Sequence, residues 1–192
     1  MSTRGSVVAA VAAMWLTAAG AGAQTLPRKA PEFAISTADG KSIPLSQYKG
    51  KPVVLAFILT TCSHCQHTVE LLSKLQPASA ARGVEIVASA IDQGAQVAVP
   101  LFVKNFHPPF PVGYNQDAGA VLDFCGYSRE HLPHMPILLF IDRQGTIRAQ
   151  HEGSEEKDFF NDRQEDNLRA AIEALAGSGA GGKKRAPAKK SE

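Results

Sequence analysis

The apolar run Val53-Val54-Leu55-Ala56-Phe57-Ile58-Leu59 is followed, after two threonines, by Cys62-Ser63-His64-Cys65. An unbroken apolar run of this length reads as a strand buried on both faces, so it needs a covering layer above and below the sheet. Beyond the cysteines, Val69, Leu72 and Leu75 recur at helical spacing. This predicts a helix over Cys65 to Leu75, with Pro77 just past its end. A strand that feeds a helix, with two cysteines at the junction, restricts the chain to an α/β design. It also places a reversible dithiol/disulfide pair at a helix start. The pair alone fits both thiol–disulfide exchange and soft-metal binding.

Strand and helix patterns alternate along the rest of the chain. Phe33 to Ser36 and Ile43 to Leu45 flank the turn signal Asp39-Gly40, which predicts an N-terminal β-hairpin. Val84 to Ile91 reads as a second buried strand. Val99, Phe102, Val103 and Phe106 form a helical face, with the helix expected to begin near Pro100. Phe110 to Val112 is a short strand candidate, and Ala118 to Phe124 has a helical pattern. Ile137 to Ile141, the turn Asp142-Arg143-Gln144-Gly145 and Ile147 to Gln150 form a hairpin, and Leu168 to Leu175 marks a closing amphipathic helix. This alternation predicts a three-layer α/β/α sandwich with an N-terminal β-hairpin extension.

The ends differ from this middle. Arg4, the apolar stretch Val7 to Ala19 and the small-residue site Ala21-Gly22-Ala23 read as a signal peptide over 1–23. A retained anchor is the alternative, although the stretch is short and alanine-rich for a span. Residues 24–30 read as a linker, 31–176 as one domain, and 177–192 as a disordered basic tail. The formal charge of +2 is misleading, because Arg4 and the tail cations Lys183, Lys184, Arg185, Lys189 and Lys190 hold the excess. The body is net acidic, which gives no support for a nucleic-acid surface. Export to a periplasm or to the outside is expected, where disulfides persist. No stable span is expected after cleavage, and the chain is expected to be a monomer.

The segment Ala30-Pro31-Glu32-Phe33, the stretch Leu45-Ser46-Gln47-Tyr48-Lys49-Gly50-Lys51-Pro52-Val53, the Thr61-Cys62-Ser63-His64-Cys65 motif and Met135-Pro136 followed by Ile137 to Gly145 together resemble the thioredoxin superfamily. The resemblance is to its exported thiol–disulfide oxidoreductases of the TlpA/ResA (redoxin) type, over about residues 30 to 176. It implies dithiol–disulfide exchange with protein thiols or disulfides and with a redox partner protein. No cofactor beyond the Cys62/Cys65 disulfide is implied. Four positions depart from the family pattern. Thr60 and Thr61 replace aromatic residues, His64 replaces a proline, and Ala56 stands where many thioredoxins carry a buried Asp. The resemblance therefore assigns no proton acceptor to Cys65.

Cys62 is the expected nucleophile, because a helix N-terminus favours a thiolate. Cys65, one turn inside, is placed to resolve the mixed disulfide. His64 is expected to tune Cys62; a histidine before the second cysteine recurs in DsbA-like and protein-disulfide-isomerase-like motifs. Pro136 is the expected cis-proline, and the backbone of Met135 is expected to bind substrate. Cys125 reads as a buried small hydrophobe or as a partner for mixed disulfides.

Two other chemistries compete. Cys62, His64, Cys65 and His67, with His131, His134 and Met135, offer ligand types for a soft metal, as in SCO-type copper chaperones. The cysteine spacing differs from that group, no second CxxC completes a zinc set, and no metal site is assigned. A peroxiredoxin pattern fails, with Leu59 and Leu55 where threonine and proline belong. Asp92, Asp117, Asp123 and Asp142 are scattered and make no carboxylate pair that spacing reveals.

Overall fold

The computed structural model describes residues 25–130, 132–155 and 158–178. The signal segment 1–23 and most of the basic tail lie outside these residues. The elements are β1 (Arg28–Lys29), β2 (Ala34–Ser36), β3 (Ser42–Pro44), β4 (Val53–Ile58), α1 (Ser63–Ala81), β5 (Glu85–Ala90), α2 (Ala95–Phe106), β6 (Val112–Tyr114), α3 (Ala118–Cys125), β7 (Ile137–Ile141), β8 (Thr146–Glu152) and α4 (Gln164–Gly177). The strands form one sheet in the order β1-β8-β7-β4-β5-β6-β2-β3.

Every residue of β4 is buried, because alternate side chains feed two separate cores. Val54, Ala56 and Ile58 pack with Cys65, Val69 and Leu72 of α1, Val99 and Phe102 of α2, and Leu168 and Ile172 of α4. Val53, Leu55 and Phe57 pack on the other face with Val121 and Phe124 of α3 and with Phe33 and Ile35. The expected three layers are present. Each fully buried Leu, Ile or Phe in them contributes about 1.5–3 kcal/mol, so one β4 strand anchors both faces.

The expected N-terminal hairpin is β2–β3, with Ile35 opposite Ile43. It joins the sheet through Ser36, opposite Tyr114 of β6. Gly113 permits that approach, since a Cβ there would overlap the Ser36 carbonyl oxygen.

Four readings need correction. The segment 24–30 is more than a linker: Arg28 and Lys29 pair with Ile147 and Thr146 of β8. Arg28 also donates to the Phe124 carbonyl at 2.7 Å, where the C-terminal end of α3 favours a cation. Second, α1 does not stop before Pro77 but runs to Ala81. A proline inside a helix removes one hydrogen bond, yet Pro77 faces solvent while Leu71, Leu72, Leu75 and Ser79 are buried along the opposite side. Packing outweighs the local defect. Third, α2 begins at Ala95 rather than near Pro100, capped by Gly94 at φ 81°. Pro100 is again exposed, whereas Ala95, Val99 and Phe102 face the core. Val103, expected on that face, is instead 37% exposed. Fourth, the short strand expected at Phe110 to Val112 lies slightly later, at Val112–Tyr114 of β6.

Candidate active site

The ends of four strands meet at one edge of the sheet. β4 and β5 are parallel, with Ile58 opposite Ala90. β7 runs antiparallel to β4, so its first residue, Ile137, lies opposite Phe57. β8 returns beside β7, with Glu152 opposite Ile137. The loops leaving β4, β5 and β8 and the loop entering β7 therefore share that edge. Such an edge, at the carboxyl ends of parallel strands, is where α/β folds place their chemistry.

Cys62 is the N-cap of α1. It has an extended backbone, φ −81° and ψ 122°, and its sulfur accepts the Cys65 N–H at 3.4 Å. The first turn carries no acidic residue to compete for that helix end. Cys62 is half-buried, while Cys65 is fully buried. Burial pushes the Cys65 thiol well above its ordinary range, although the Leu59 N–H donates to its sulfur at 3.4 Å and opposes the shift. The neighbouring Cys62 and the Asp92 charge push it further up. The two cysteines thus differ in environment: Cys62 is half-buried and its sulfur accepts a helix N–H, while Cys65 is fully buried and held as a neutral thiol.

His64 occupies the first turn of α1 and is exposed. Its carbonyl accepts the Thr68 hydroxyl at 2.8 Å. Thr68 in turn accepts from the Gln164 side chain at 2.8 Å, which ties α1 to α4 behind the cysteines.

The Met135–Pro136 peptide bond is cis, as expected. Pro136 directly precedes β7, and Met135 packs on the same core cluster as Cys62 and Leu59. Gly153, just past β8, donates its N–H to the His134 carbonyl at 2.8 Å. A Cβ at Gly153 would stand 2.5 Å from the Met135 oxygen. Glycine is therefore required for β8 to lie against this loop.

Sequence reasoning missed Asp92. Both of its carboxylate oxygens accept the Thr60 N–H at 2.9 Å, and one also accepts the Thr60 hydroxyl at 3.2 Å. The Ile91 N–H bonds the Ile58 carbonyl, continuing the parallel ladder, so Thr60 and Asp92 each lie two residues past paired strand ends. That alignment depends on strand register, which spacing along one chain does not reveal. Gln66 completes the turn by donating to the Thr60 carbonyl at 2.9 Å.

Cys125 stands apart. It is buried in the core of the other sheet face, where burial raises its thiol to about 12 against the opposing pull of Arg28. The ligand types proposed for a metal are not gathered: among the described residues no group of three or more His, Cys, Asp or Glu could hold an ion. His67 and His134 are exposed, and His131 lies outside the described residues.

The profile of the AhpC/TSA family matches residues 26–150. The chain belongs to the AhpC/TSA family. It is 31% identical over 131 residues to the thiol-disulfide oxidoreductase ResA of Bacillus thuringiensis, covering 68% of this chain and 72% of that protein. Among solved structures, a thiol:disulfide interchange protein of the thioredoxin family from Chlorobium tepidum superposes with TM-score 0.64 at 22% identity, over 81% of this chain and 100% of that one. A secreted disulfide oxidoreductase of Mycobacterium tuberculosis superposes with TM-score 0.58 at 22% identity, over 74% and 96%. These findings place the chain as a TlpA/ResA-like thiol–disulfide oxidoreductase with a thioredoxin-like fold.

Proposed function

We propose that the chain exchanges a dithiol for a disulfide with protein substrates through Cys62 and Cys65. The observation that carries this reading is the asymmetry of the pair: a half-buried sulfur at the cap of α1 and a fully buried one a turn behind it. Cys62 attacks a substrate disulfide, and Cys65 then attacks Cys62 and frees the substrate thiol. His64, in the first turn, tunes the Cys62 thiolate. Met135 and Pro136 align an extended substrate segment through main-chain hydrogen bonds. Exposed apolar side chains on neighbouring elements, Val97 and Leu101 of α2 and Leu132 before the cis-proline, suit a protein substrate. The disulfide is itself the redox group, and no other cofactor is invoked.

The N-terminal sequence supports export to the periplasm or outside, where a monomer would meet its redox partner protein. Among the described residues no helix is long and apolar enough to cross a membrane.

The test uses Cys65→Ser and glutathione disulfide. The variant is expected to accumulate a stable Cys62–glutathione adduct visible by mass, whereas the wild-type protein passes to the Cys62–Cys65 disulfide. An adduct on Cys125, or none, would overturn the assignment. A copper chaperone using the same thiols is separated by anaerobic Cu(I) titration, which would give stoichiometric tight binding without exchange activity.

A further inference from the structure

We propose that Asp92 accepts the Cys65 proton when Cys65 resolves the mixed disulfide, a role that rests on the exchange reading above. A buried thiol is a poor nucleophile until it loses its proton, and at this sheet edge the base must come from a neighbouring element. The position on β4 itself is Ala56, which is fully buried and has no acid to offer. Asp92 leaves the end of β5, and its two oxygens grip the Thr60 N–H. The preceding N–H in the chain, that of Leu59, donates to the Cys65 sulfur. Adjacent peptide groups of one turn thus hold the carboxylate and the thiol. The side chain of Asp92 remains partly open to solvent, so the proton can pass to it across an intervening water.

The electrostatics agree with this arrangement. The Asp92 charge adds to burial in keeping Cys65 protonated. Ionising Cys65 beside a charged Asp92 would bring two negative charges near each other, and passing the proton to Asp92 avoids that.

The Cys65 S–H bond breaks and its proton goes to the Asp92 carboxylate. The Cys65 thiolate attacks the Cys62 sulfur, forming the Cys62–Cys65 bond as the bond from Cys62 to the substrate sulfur breaks. The substrate leaves as a thiolate and takes up a proton, which Asp92 returns through solvent. The dithiol is oxidised by two electrons and the substrate disulfide is reduced by two.

Other titratable groups on the elements that meet at this edge include Cys62, His64, His67 and Glu70 on α1 or its cap, Tyr114 on β6, His134 before β7, and His151 and Glu152 on β8. His64, His67 and His134 are exposed, and their buffering is common to all variants compared below.

The experiment separates the two chemical steps by stopped flow with glutathione disulfide. Attack by Cys62 is measured in Cys65→Ser, with and without Asp92→Asn, and resolution is measured in chains that retain Cys65. Asparagine keeps an oxygen for the Thr60 N–H but cannot take a proton. The expected result is first-step rates within about twofold and resolution slowed at least about tenfold, the lower side of general-base effects. The Asp92→Asn resolution rate should also rise about tenfold per pH unit as hydroxide replaces the base, and Asp92→Glu should recover part of the rate. Unchanged resolution, or an equal slowing of both steps, overturns the proposal, the latter marking Asp92 as purely structural. If Cys65→Ser forms no adduct at Cys62, the exchange reading itself fails and the proposal with it.

Discussion

At the scale of single residues, the chemistry depends on which side chains sit on which side of one helix start. Cys62 and Cys65 were legible in the sequence because a cysteine pair after a buried strand has few structural outcomes. Pro136 was legible because it abuts the next buried strand. His64 was legible as a position, but its exposure was not, and exposure limits its influence. Thioredoxin and DsbA differ by about 150 mV, whereas a solvent-screened group near a helix end is worth about 0.3–1 kcal/mol. We therefore expect His64→Ala to make the couple more reducing by about 5–20 mV, read from equilibration with glutathione buffers; each 30 mV corresponds to about 1.4 kcal/mol. The sign follows because removing a group that favours the thiolate destabilises the reduced form. No shift, or a shift to a more oxidising value, would contradict the tuning role.

At the scale of elements, the sequence identified the periods correctly and misplaced several boundaries. Pro77 and Pro100 looked like a helix stop and a helix start, yet both lie on exposed faces inside helices whose opposite sides are buried. A local rule gave way to tertiary packing that a single chain does not display. Arg28 resembles a linker residue in the sequence for a similar reason, since its partners are the Phe124 carbonyl and the Gln150 side chain, far along the chain. Gly153 is the element-scale counterpart at the site. Its N–H and its missing Cβ let β8 press against the loop before β7. Gly153→Ala must push Met135 away, at about 1–3 kcal/mol of stability, as overpacking does. Exchange with a disulfide-bonded peptide should then show a higher KM and a lower rate, while the reaction of Cys62 with a small aromatic disulfide stays near wild type. Equal losses for both substrates would show that the clamp has no part in docking.

At the scale of the whole molecule, two cores on either side of β4 fix the sheet, and the sheet brings the ends of β4, β5 and β8 together with the start of β7. The fold class followed from alternating patterns. The meeting of Asp92 with Thr60 did not, because it requires parallel register between strands separated by the whole of α1. The same architecture puts Cys125 on the opposite face, so the redox pair is isolated from the third thiol. The most direct measurement of this account is the equilibrium of the reduced protein with glutathione buffers of graded potential, with each cysteine mapped by alkylation and mass. The expected result is a single two-electron transition between about −270 and −120 mV, confined to Cys62 and Cys65, with Cys125 remaining a thiol throughout. A transition that engages Cys125, or the absence of any Cys62–Cys65 disulfide across the series, would contradict it.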